Sequence, residues 1–335
     1  MKILILGGTH LTGPFTTRYL VEQGHQVTIF HRGQHQADLP PAVNRILGER
    51  RRLDEFISEF KQQAPDVVLD MLAFTRQDAE MLMRVFKGIA KRVVVPSSSD
   101  VYRAYGRLHG TEPGPVEPIP FTEEAPLREE LSIHKEEYEK RWVEEVVMND
   151  PDLPGTILRY PMIYGPSDGG RTFDLVKRMM DNRPVILLDE KVARWRWSRG
   201  YAENVAWANV LAVTHEQARN RIYNVAEPEG LSYLEWTQRV TRARGWTGRI
   251  VVVPHGRLSL DGANYEHHWV VDTTRIRAEL GYMEIVPQEE ALRRTVDWQW
   301  ANPLEKYDPK EFDYAAEDTL LAQLQSAARM YVMRI

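Results

Sequence analysis

The amino terminus of the chain joins a short apolar run to a glycine-rich turn. Lys2-Ile-Leu-Ile-Leu6 leads directly into Gly7-Gly8-Thr9-His10-Leu11-Thr12-Gly13. A short apolar run that ends in glycines is typical of a buried β-strand. Apolar residues then recur with helical spacing at Phe15, Tyr19 and Leu20. The predicted order of strand, turn and helix leaves backbone N–H groups and the positive end of a helix dipole at the turn, where a diphosphate can bind.

A second predicted strand, Val27-Thr28-Ile29-Phe30, closes a βαβ unit of the length that dinucleotide-binding domains use. An Asp or Glu often ends this strand and holds the ribose hydroxyls of NAD. This chain has His31 and Arg32 there, and a guanidinium suits the 2′-phosphate of NADP. We therefore expect NADP in preference to NAD. The alternative is that Arg32 is a solvated loop cation.

Predicted strands and helices alternate along the first half of the chain. Further strands are predicted at Asn44–Gly48, Asp66–Met71, Arg92–Pro96 and Thr156–Arg159. Such alternation indicates an α/β fold with a Rossmann-type, doubly wound parallel sheet that helices cover on both faces. The Pro- and Gly-rich segment Arg103–Arg128 is long for a connection and predicts an active-site loop or lid. A charged helix is predicted from about His134 to Met148.

The pattern becomes less regular after residue 165 and predicts a second, smaller lobe. We expect a dinucleotide-binding domain over residues 1–165 plus 196–227, and a smaller α/β substrate lobe over residues 166–195 plus 228–302. Residues 303–335 form a predicted C-terminal helical extension. Its helix, Glu317–Tyr331, carries an apolar stripe at Leu320, Leu321, Leu324 and Ala328. Packing on the core is the favoured interpretation of that stripe, and a homodimer contact is the alternative.

Composition excludes several function classes. The 335 residues contain no cysteine, which removes disulfides, thiol nucleophiles and thiolate metal sites. A net charge of −5 gives no electrostatic reason to expect a nucleic acid or a membrane surface as partner. His255, His267 and His268 have no acidic partner at ligand spacing, so no metal is expected. These features predict a cytoplasmic enzyme with a small-molecule substrate.

Several segments in a fixed order resemble the extended short-chain dehydrogenases/reductases of the epimerase/dehydratase type, over about residues 1–300. They are Gly7-Gly8-Thr9 with Gly13, Asp66-Val-Val-Leu-Asp70, Pro96-Ser-Ser-Ser-Asp-Val-Tyr102, Leu158-Arg159-Tyr160-Pro161-Met-Ile-Tyr164-Gly165-Pro166, Gly200-Tyr201 with Glu203-Asn204-Val205, and Tyr223-Asn224-Val225. The middle glycine of the family's turn is replaced by His10. That replacement is similar to a branch that includes relatives of chloroplast stem-loop-binding proteins.

The resemblance implies a set of coenzyme contacts. These are Gly7, Gly8, Thr9, His10, Leu11, Thr12, Gly13, His31, Arg32, Glu49, Met71, Leu72, Ala73, Ser97, Lys140, Tyr160, Pro161 and Ile163. The run Glu49-Arg50-Arg51-Arg52 is predicted to be the solvated start of a helix, and Glu49 is the one residue of it to which the resemblance gives a coenzyme contact.

The resemblance also implies the reaction. The family passes a hydride between a sugar carbon and the nicotinamide. A Tyr moves the hydroxyl proton, a Lys four residues later lowers the pKa of that Tyr, and a Ser or Thr holds the oxygen. The family's serine falls on Ser98. Asp100 matches the acid/base carboxylate of the family's dehydratases, although an Asp that caps a turn is a common alternative.

The Tyr–Lys pair departs from the family pattern. Lys140 matches the family's lysine because Val143 and Glu144 follow it, but the residue four places earlier is Glu136. Three alternatives follow. Tyr138 reaches the site only if the start of the helix is shifted, because residues two apart do not share a face of a regular helix. Glu136 serves as acid/base if it is buried. In the third alternative, the protein has abandoned hydride chemistry.

The run Arg194-Trp195-Arg196-Trp197 alternates cations with aromatics. In the family this region lies beside the substrate, where an Arg often holds a diphosphate; an ordinary structural function is the alternative.

The expected function is therefore an NAD(P)-dependent oxidoreductase of the epimerase/dehydratase type, acting on a hydroxyl or ketone of a sugar or nucleotide-sugar-like compound. One alternative is a cofactor-binding regulator or RNA-binding relative of the stem-loop-binding proteins. The other is a reductase of small ketones or enones, which the tryptophans of the second lobe would suit.

Overall fold

The computed structural model describes residues 1–35 and 37–332, and a parallel sheet forms its centre. The strands are β1 Lys2–Leu6, β2 Gln26–His31, β3 Asn44–Leu47, β4 Val67–Asp70, β5 Arg92–Ser98, β6 Gly155–Tyr160, β7 Met162–Tyr164, β8 Val185–Asp189, β9 Arg199–Tyr201, β10 Arg221–Asn224 and β11 Arg249–Val253. In the described part of the chain the largest sheet has seven strands, in the order β10-β6-β5-β4-β1-β2-β3. All of its neighbouring strands are parallel. The predicted doubly wound α/β fold is confirmed.

Helices cover both faces of this sheet. The α-helices are α1 Gly13–Glu22, α2 Ile57–Gln63, α3 Arg76–Phe86, α4 Arg103–Leu108, α5 Lys140–Met148, α6 Phe173–Met180, α7 Glu190–Arg194, α8 Ala202–Thr214, α9 Tyr233–Ala243, α10 Thr274–Leu280, α11 Gln288–Ala301 and α12 Tyr314–Val332. Successive side chains of a strand point to opposite faces of a sheet. Accordingly, Ile3 and Ile5 of β1 belong to one buried cluster, and Leu4 and Leu6 belong to another.

The position of β1 creates the crevice in which a ligand binds to such a fold. β1 pairs with β2 on one side and with β4 on the other, so the strand order reverses next to it. In open parallel sheets a ligand binds beyond the carboxyl ends of the strands at that reversal. Leu6, Asp70 and Ser98 are the last residues of β1, β4 and β5. The glycine-rich turn and the residues that follow Asp70 and Ser98 therefore lie at this edge of the sheet.

Residues of the expected second lobe form a separate apolar cluster. β8 pairs with β11 within the expected second lobe, whereas β7 and β9, which pair with each other, lie within the residues expected for the dinucleotide-binding domain. Side chains of α6, α9 and α11 pack around Trp236, which is 1% exposed. Helix α12 lies against the small β8–β11 sheet, because Leu320 packs with Val185, Leu187 and Val253.

This contact fits the packing interpretation of the C-terminal stripe. The side chain of Ala328 lies outside the described residues. No helix among the described residues is long and apolar enough to cross a membrane.

Candidate active site

The glycine-rich turn is fitted tightly against the start of α1. Gly7 and Gly8 have φ values of +91° and +78°, which belong to a conformation that favours glycine. A Cβ atom on Gly13 would lie 2.4 Å from the carbonyl carbon of Gly8, so only glycine allows this contact. Because α1 begins at Gly13, its N-terminal N–H groups and positive dipole end lie at the turn. The main chain at this turn therefore suits a diphosphate.

A groove of about 660 Å³ runs along this turn and past the ends of β2, β3 and β4. Of the expected coenzyme contacts, it is lined by Gly7, Gly8, Thr9, His10, Leu11, Thr12, His31, Arg32, Glu49, Met71, Leu72, Tyr160 and Ile163. Ser97 and Pro161 line the adjoining cavity instead. Gly13, Ala73 and Lys140 line neither space, although Gly13 shapes the turn and the Ala73 carbonyl accepts a hydrogen bond from Lys140.

Sequence reasoning missed other lining residues of this groove. They are Phe30, Gly33, Gln34, His35, Gly48, Arg50, Arg51, Phe74, Asp78, Pro96 and Arg171. Most of them lie next to the carboxyl end of a strand. The rule that ligands bind at that edge could have found them without a motif.

Two residues at the end of β2 present nitrogen atoms to the groove. Nδ1 of His31 accepts a hydrogen bond from the Gly33 N–H at 3.2 Å, while Nε2 is buried without a partner. Burial and the nearby charge of Arg45 lower the pKa of His31, so its ring is neutral at pH 7. Arg32 is exposed at the rim of the groove. Neither side chain is an acceptor of the kind that holds the ribose hydroxyls of NAD.

The prediction that the run Glu49–Arg52 is a solvated helix start is wrong for Arg50. Arg50 is only 6% exposed, and its Nη2 lies 2.5 Å from Oδ2 of Asp70. Asp70 is fully buried at the end of β4, and a buried carboxylate requires a paired cation. The pair closes one wall of the groove, and Nη1 of Arg50 is buried there without a hydrogen-bond partner.

The predicted charged helix from His134 is also corrected, and the correction changes the Tyr–Lys pair. Residues 135–137 form one 3-10 turn, and α5 begins only at Lys140. Between them Tyr138 and Glu139 are not helical, with φ and ψ values of −147° and 86° for Tyr138 and of −127° and 87° for Glu139. The regular-helix objection to Tyr138 therefore does not apply, and Lys140 Nζ lies 5.5 Å from the centre of the Tyr138 ring.

Lys140 is held in a buried position by two main-chain oxygens. Its Nζ donates to the carbonyl of Ala73 at 2.6 Å and to that of Pro96 at 3.0 Å. Burial lowers the pKa of Lys140 to about 8, although the charges of Asp100 and Asp70 oppose the shift. The ammonium group is thus fixed between the strand ends.

Ser98, Asp100 and Tyr138 come together on the cavity side of this lysine. Ser98 Oγ accepts a hydrogen bond from the Asp100 N–H at 3.2 Å, so Ser98 rather than Asp100 caps the short turn of residues 99–101. Asp100 is 5% exposed, and its Oδ1 is buried without a partner. Burial raises the pKa of Asp100 to about 6, although the charges of Arg128 and Lys140 lower it.

The phenol of Tyr138 holds its proton firmly. Burial raises its pKa well above the usual value, and the charge of Asp100 raises it further, while a hydrogen bond with Ser98 works in the opposite direction. Glu136, by contrast, is exposed in the 3-10 turn and does not line the cavity. It lacks the burial on which its acid/base alternative depended.

A cavity of about 1010 Å³ adjoins the coenzyme groove and shares Leu11, Tyr160, Ile163 and Arg171 with it. Ser98, Asp100 and Tyr138 line its inner end. Its walls are rich in aromatic side chains, namely Tyr105, Trp195, Trp197, Tyr233, Tyr265 and Trp269. The rings of Trp197 and Trp269 are nearly parallel, with an interplanar angle of 12°.

The segment predicted as a lid contains helix α4 and supplies Tyr105, Leu108 and His109 to the cavity wall. The two spaces together have the form of a coenzyme groove that opens into a substrate cavity.

The alternating run of residues 194–197 divides between two surfaces. Trp195 and Trp197 line the cavity, whereas Arg194 and Arg196 line a different groove and are exposed. Arg194 ends α7 and Arg196 lies between the two tryptophans on the other side of the chain, so the two arginines do not enter the cavity. The structure does not bear out the hypothesis that one of them holds a diphosphate there.

The chain is similar to known proteins in sequence and in fold. A family model described as the NAD dependent epimerase/dehydratase family matches residues 3–226. The chain is 27% identical to 2'-dehydrokanamycin reductase of Streptomyces kanamyceticus, over 76% of this chain and 70% of that protein. It is 24% identical to the chloroplast stem-loop binding protein of 41 kDa b of Arabidopsis thaliana, over 73% of this chain and 64% of that protein.

Solved structures share the fold at lower identity. UDP-glucose 4-epimerase of Thermotoga maritima, solved with UDP-glucose, is 18% identical with a TM-score of 0.69, over 90% of this chain and 99% of that one. A dTDP-glucose 4,6-dehydratase of Streptomyces venezuelae, solved with NAD, is 19% identical with a TM-score of 0.67, over 90% of this chain and 98% of that one. The match of the family model to two thirds of the sequence confirms the resemblance, and the chain belongs to the NAD dependent epimerase/dehydratase family.

Proposed function

We propose that the protein is an NADP-dependent oxidoreductase that reduces a ketone on a sugar-like ring. The observation that carries this proposal is that Ser98, Asp100 and Tyr138 line the cavity that adjoins the groove, while Lys140 is buried behind them with its Nζ 5.5 Å from the centre of the Tyr138 ring. A nucleotide in the groove and a ring substrate in the cavity would meet beside these residues. The late start of α5 supports Tyr138 as the proton donor in place of the tyrosine that the family motif lacks here.

The residues of the groove fit the proposed coenzyme. The glycine turn and the N-terminus of α1 would hold its diphosphate, and Arg32 would pair with a 2′-phosphate at the groove rim. The ammonium group of Lys140 would hold the hydroxyls of the ribose next to the nicotinamide. When bound, the nicotinamide ring supplies the hydride that reduces the substrate carbon.

The side chains around the ketone would handle the proton. Ser98 would donate a hydrogen bond to the ketone oxygen, and Tyr138 would transfer its proton to that oxygen as negative charge develops on it. A phenol is protonated at neutral pH, as the acid of a reduction must be, and a raised pKa disfavours the phenolate that an oxidation would need as its base. This is the reason for proposing the reducing direction. Asp100 could instead remove a proton from the carbon beside the ketone, as an epimerase or dehydratase requires.

The charges of the cavity favour a ring compound without a nucleotide diphosphate. Arg178 lines the cavity, but its Nη2 is 2.7 Å from Glu317, so its charge is already paired. Arg171 lies at the junction with the coenzyme groove. Carboxylates of Asp174, Asp261 and Glu311 also line the wall. We therefore propose an unphosphorylated sugar or cyclitol ketone, whose ring stacks on the aromatic walls.

The experiment that tests this function follows nicotinamide absorbance while NADPH and the protein are mixed with ring ketones, nucleotide sugars and simple ketones. We expect oxidation of NADPH by an unphosphorylated ring ketone and none in the Tyr138→Phe variant. Tight NADPH binding with no oxidation by any compound would contradict the proposal. It would then favour the cofactor-binding regulator, and RNA binding that weakens steeply with salt would favour the stem-loop-type alternative.

A further inference from the structure

Glu139 lies between the two residues assigned to the chemistry. Tyr138 and Glu139 are not helical, and α5 begins at Lys140. Unlike Tyr138, Glu139 does not line the cavity. It is fully buried, and two arginines pair with it: Arg128 at 3.0 Å and Arg141 at 3.1 Å.

The carboxylate of Glu139 determines where the helix begins. One of its oxygens accepts the backbone N–H of Arg141 at 3.2 Å, which is the hydrogen bond of a helix N-cap. The Glu139 N–H donates to the carbonyl of Phe74 at 3.0 Å, so the residue is fixed through both its main chain and its side chain. Without this cap, we expect the helix to begin at a residue before Lys140.

Arg128 joins that carboxylate to the other half of the site. While Nη2 pairs with Glu139, Nε of the same guanidinium donates to the carbonyl of Asp100 at 2.6 Å. The Arg128 N–H also donates to the carbonyl of Val101 at 2.8 Å. One side chain, 1% exposed, therefore connects the segment of Tyr138 and Lys140 to the segment of Ser98 and Asp100.

We propose that Glu139 and Arg128 are positioning residues, whose ion pair holds Tyr138 at the cavity and Lys140 behind it, in register with Ser98 and Asp100. The pair replaces the four-residue helical spacing with which the family aligns its tyrosine and lysine. This inference rests on the proposed function of those four residues. Arg128 belongs to the segment predicted as a lid, so that segment also aligns the reacting groups.

Charge reinforces the geometric connection. Asp100 is faced by Arg128, Lys140, Glu139, Ser98, Tyr138 and Tyr105. Among these, the positive charge of Arg128 lowers the pKa of Asp100, and the negative charge of Glu139 raises it. Removal of one partner should therefore shift that pKa in the opposite direction from removal of the other.

The test uses the single variants Glu139→Gln and Arg128→Met and the double variant Arg128→Met with Glu139→Leu. Glu139→Gln removes the carboxylate that two arginines share, and Arg128→Met leaves Glu139 paired with Arg141 alone. We expect each single change to lower the melting temperature by about 5–10 °C. The double variant replaces the whole pair with apolar groups and should recover most of that loss. It should not recover turnover: we expect kcat to stay about 100-fold lower, with substrate KM within about threefold.

Two measurements do not depend on any substrate. In a crystal structure of the double variant, we expect Lys140 Nζ and the Tyr138 ring to have moved apart. A carbon NMR titration should place the pKa of Asp100 lower in Glu139→Gln and higher in Arg128→Met, with its signal assigned by its loss in Asp100→Asn. As a matched control, Glu117→Gln breaks the buried pair of Arg107 and Glu117, 2.8 Å apart in the same segment, and should lower stability without either effect.

A double variant that regains both stability and the native placement of Tyr138 and Lys140 would overturn the inference. Shifts of the Asp100 pKa in the same direction in both single variants would also overturn it. If the wild-type protein turns over no ring ketone, the proposed function fails, but the crystal structure and the titration still decide whether the ion pair positions these side chains.

Discussion

The coenzyme groove and the substrate cavity are built in different ways. The groove takes its shape mainly from main chain at strand ends, such as the turn of Gly7, Gly8 and Gly13. The cavity is formed by side chains from distant segments, with the Tyr105 ring packed against Trp269. A site made from backbone tolerates most changes of side chain, whereas one made from side chains can change its substrate by substitution. This difference explains why fold and cofactor class are easier to assign in this protein than the substrate.

The largest effect on coenzyme binding is expected at Gly13, where the start of α1 contacts the main chain of Gly8. In Gly13→Ala the new Cβ would lie 2.4 Å from the Gly8 carbonyl carbon, and neither backbone can move without opening the turn. We expect the Kd for NADPH, measured by calorimetry, to rise by more than about 100-fold. Gly88→Ala is the control, because nothing lies within 4 Å of the added carbon there, and its φ of +75°, unlike that of Gly13, already disfavours alanine. Unchanged NADPH affinity in Gly13→Ala would break the contrast between the two regions.

The next effect separates the two candidate acids at the cavity. We expect Tyr138→Phe to lower kcat for ketone reduction about 1000-fold, because it removes the proton donor and leaves the ring in place. Glu136→Gln changes an exposed side chain and should leave kcat within about twofold. Steady-state kinetics at saturating NADPH measure both. The opposite ranking would assign the proton transfer to Glu136.

Much of the first region follows from local sequence, and much of the second does not. The strand, turn and helix around Gly7–Gly13 are determined within one short stretch, so apolar runs and glycines predict them. The pairing of Arg50 with Asp70 joins residues twenty positions apart, and a run of charged residues alone gives no sign of it.

The same limit applies to the start of α5. It depends on the capping contact of Glu139 and on Arg128, which lies eleven positions earlier. The four-residue spacing of the family motif therefore could not predict that Tyr138 and Lys140 lie close together. Likewise, alternation in residues 194–197 predicts two faces, but only the fold decides which face lines the cavity.

A third prediction concerns stability as a function of pH, because the ionised form of the buried Asp100 destabilises the folded protein. The pKa of Asp100 is raised from 3.8 to about 6, so its stabilising contribution is complete below about pH 4 and is lost as pH rises through 6. Ionised Asp100 thus costs about 3 kcal/mol at pH 8 by linkage. We expect Asp100→Asn to be more stable than the wild type at pH 8 by about that amount, and not at pH 4. Urea unfolding at both pH values measures it, and equal stability at pH 8 would show that the carboxylate is well solvated.

The smallest effect concerns Arg32, the side chain of the groove to which we assign the choice between NADP and NAD. Arg32 is exposed at the groove rim, so its pairing with a 2′-phosphate is screened by solvent and salt. We expect Arg32→Ala to weaken NADPH binding about tenfold and NADH binding less than about twofold, with the difference shrinking as salt rises. Arg52→Ala is the control, because Arg52 is exposed, is paired with Glu55 and does not line the groove. An equal loss for both coenzymes would mean that Arg32 supports the loop rather than selects NADP, and the main chain alone would then account for coenzyme binding.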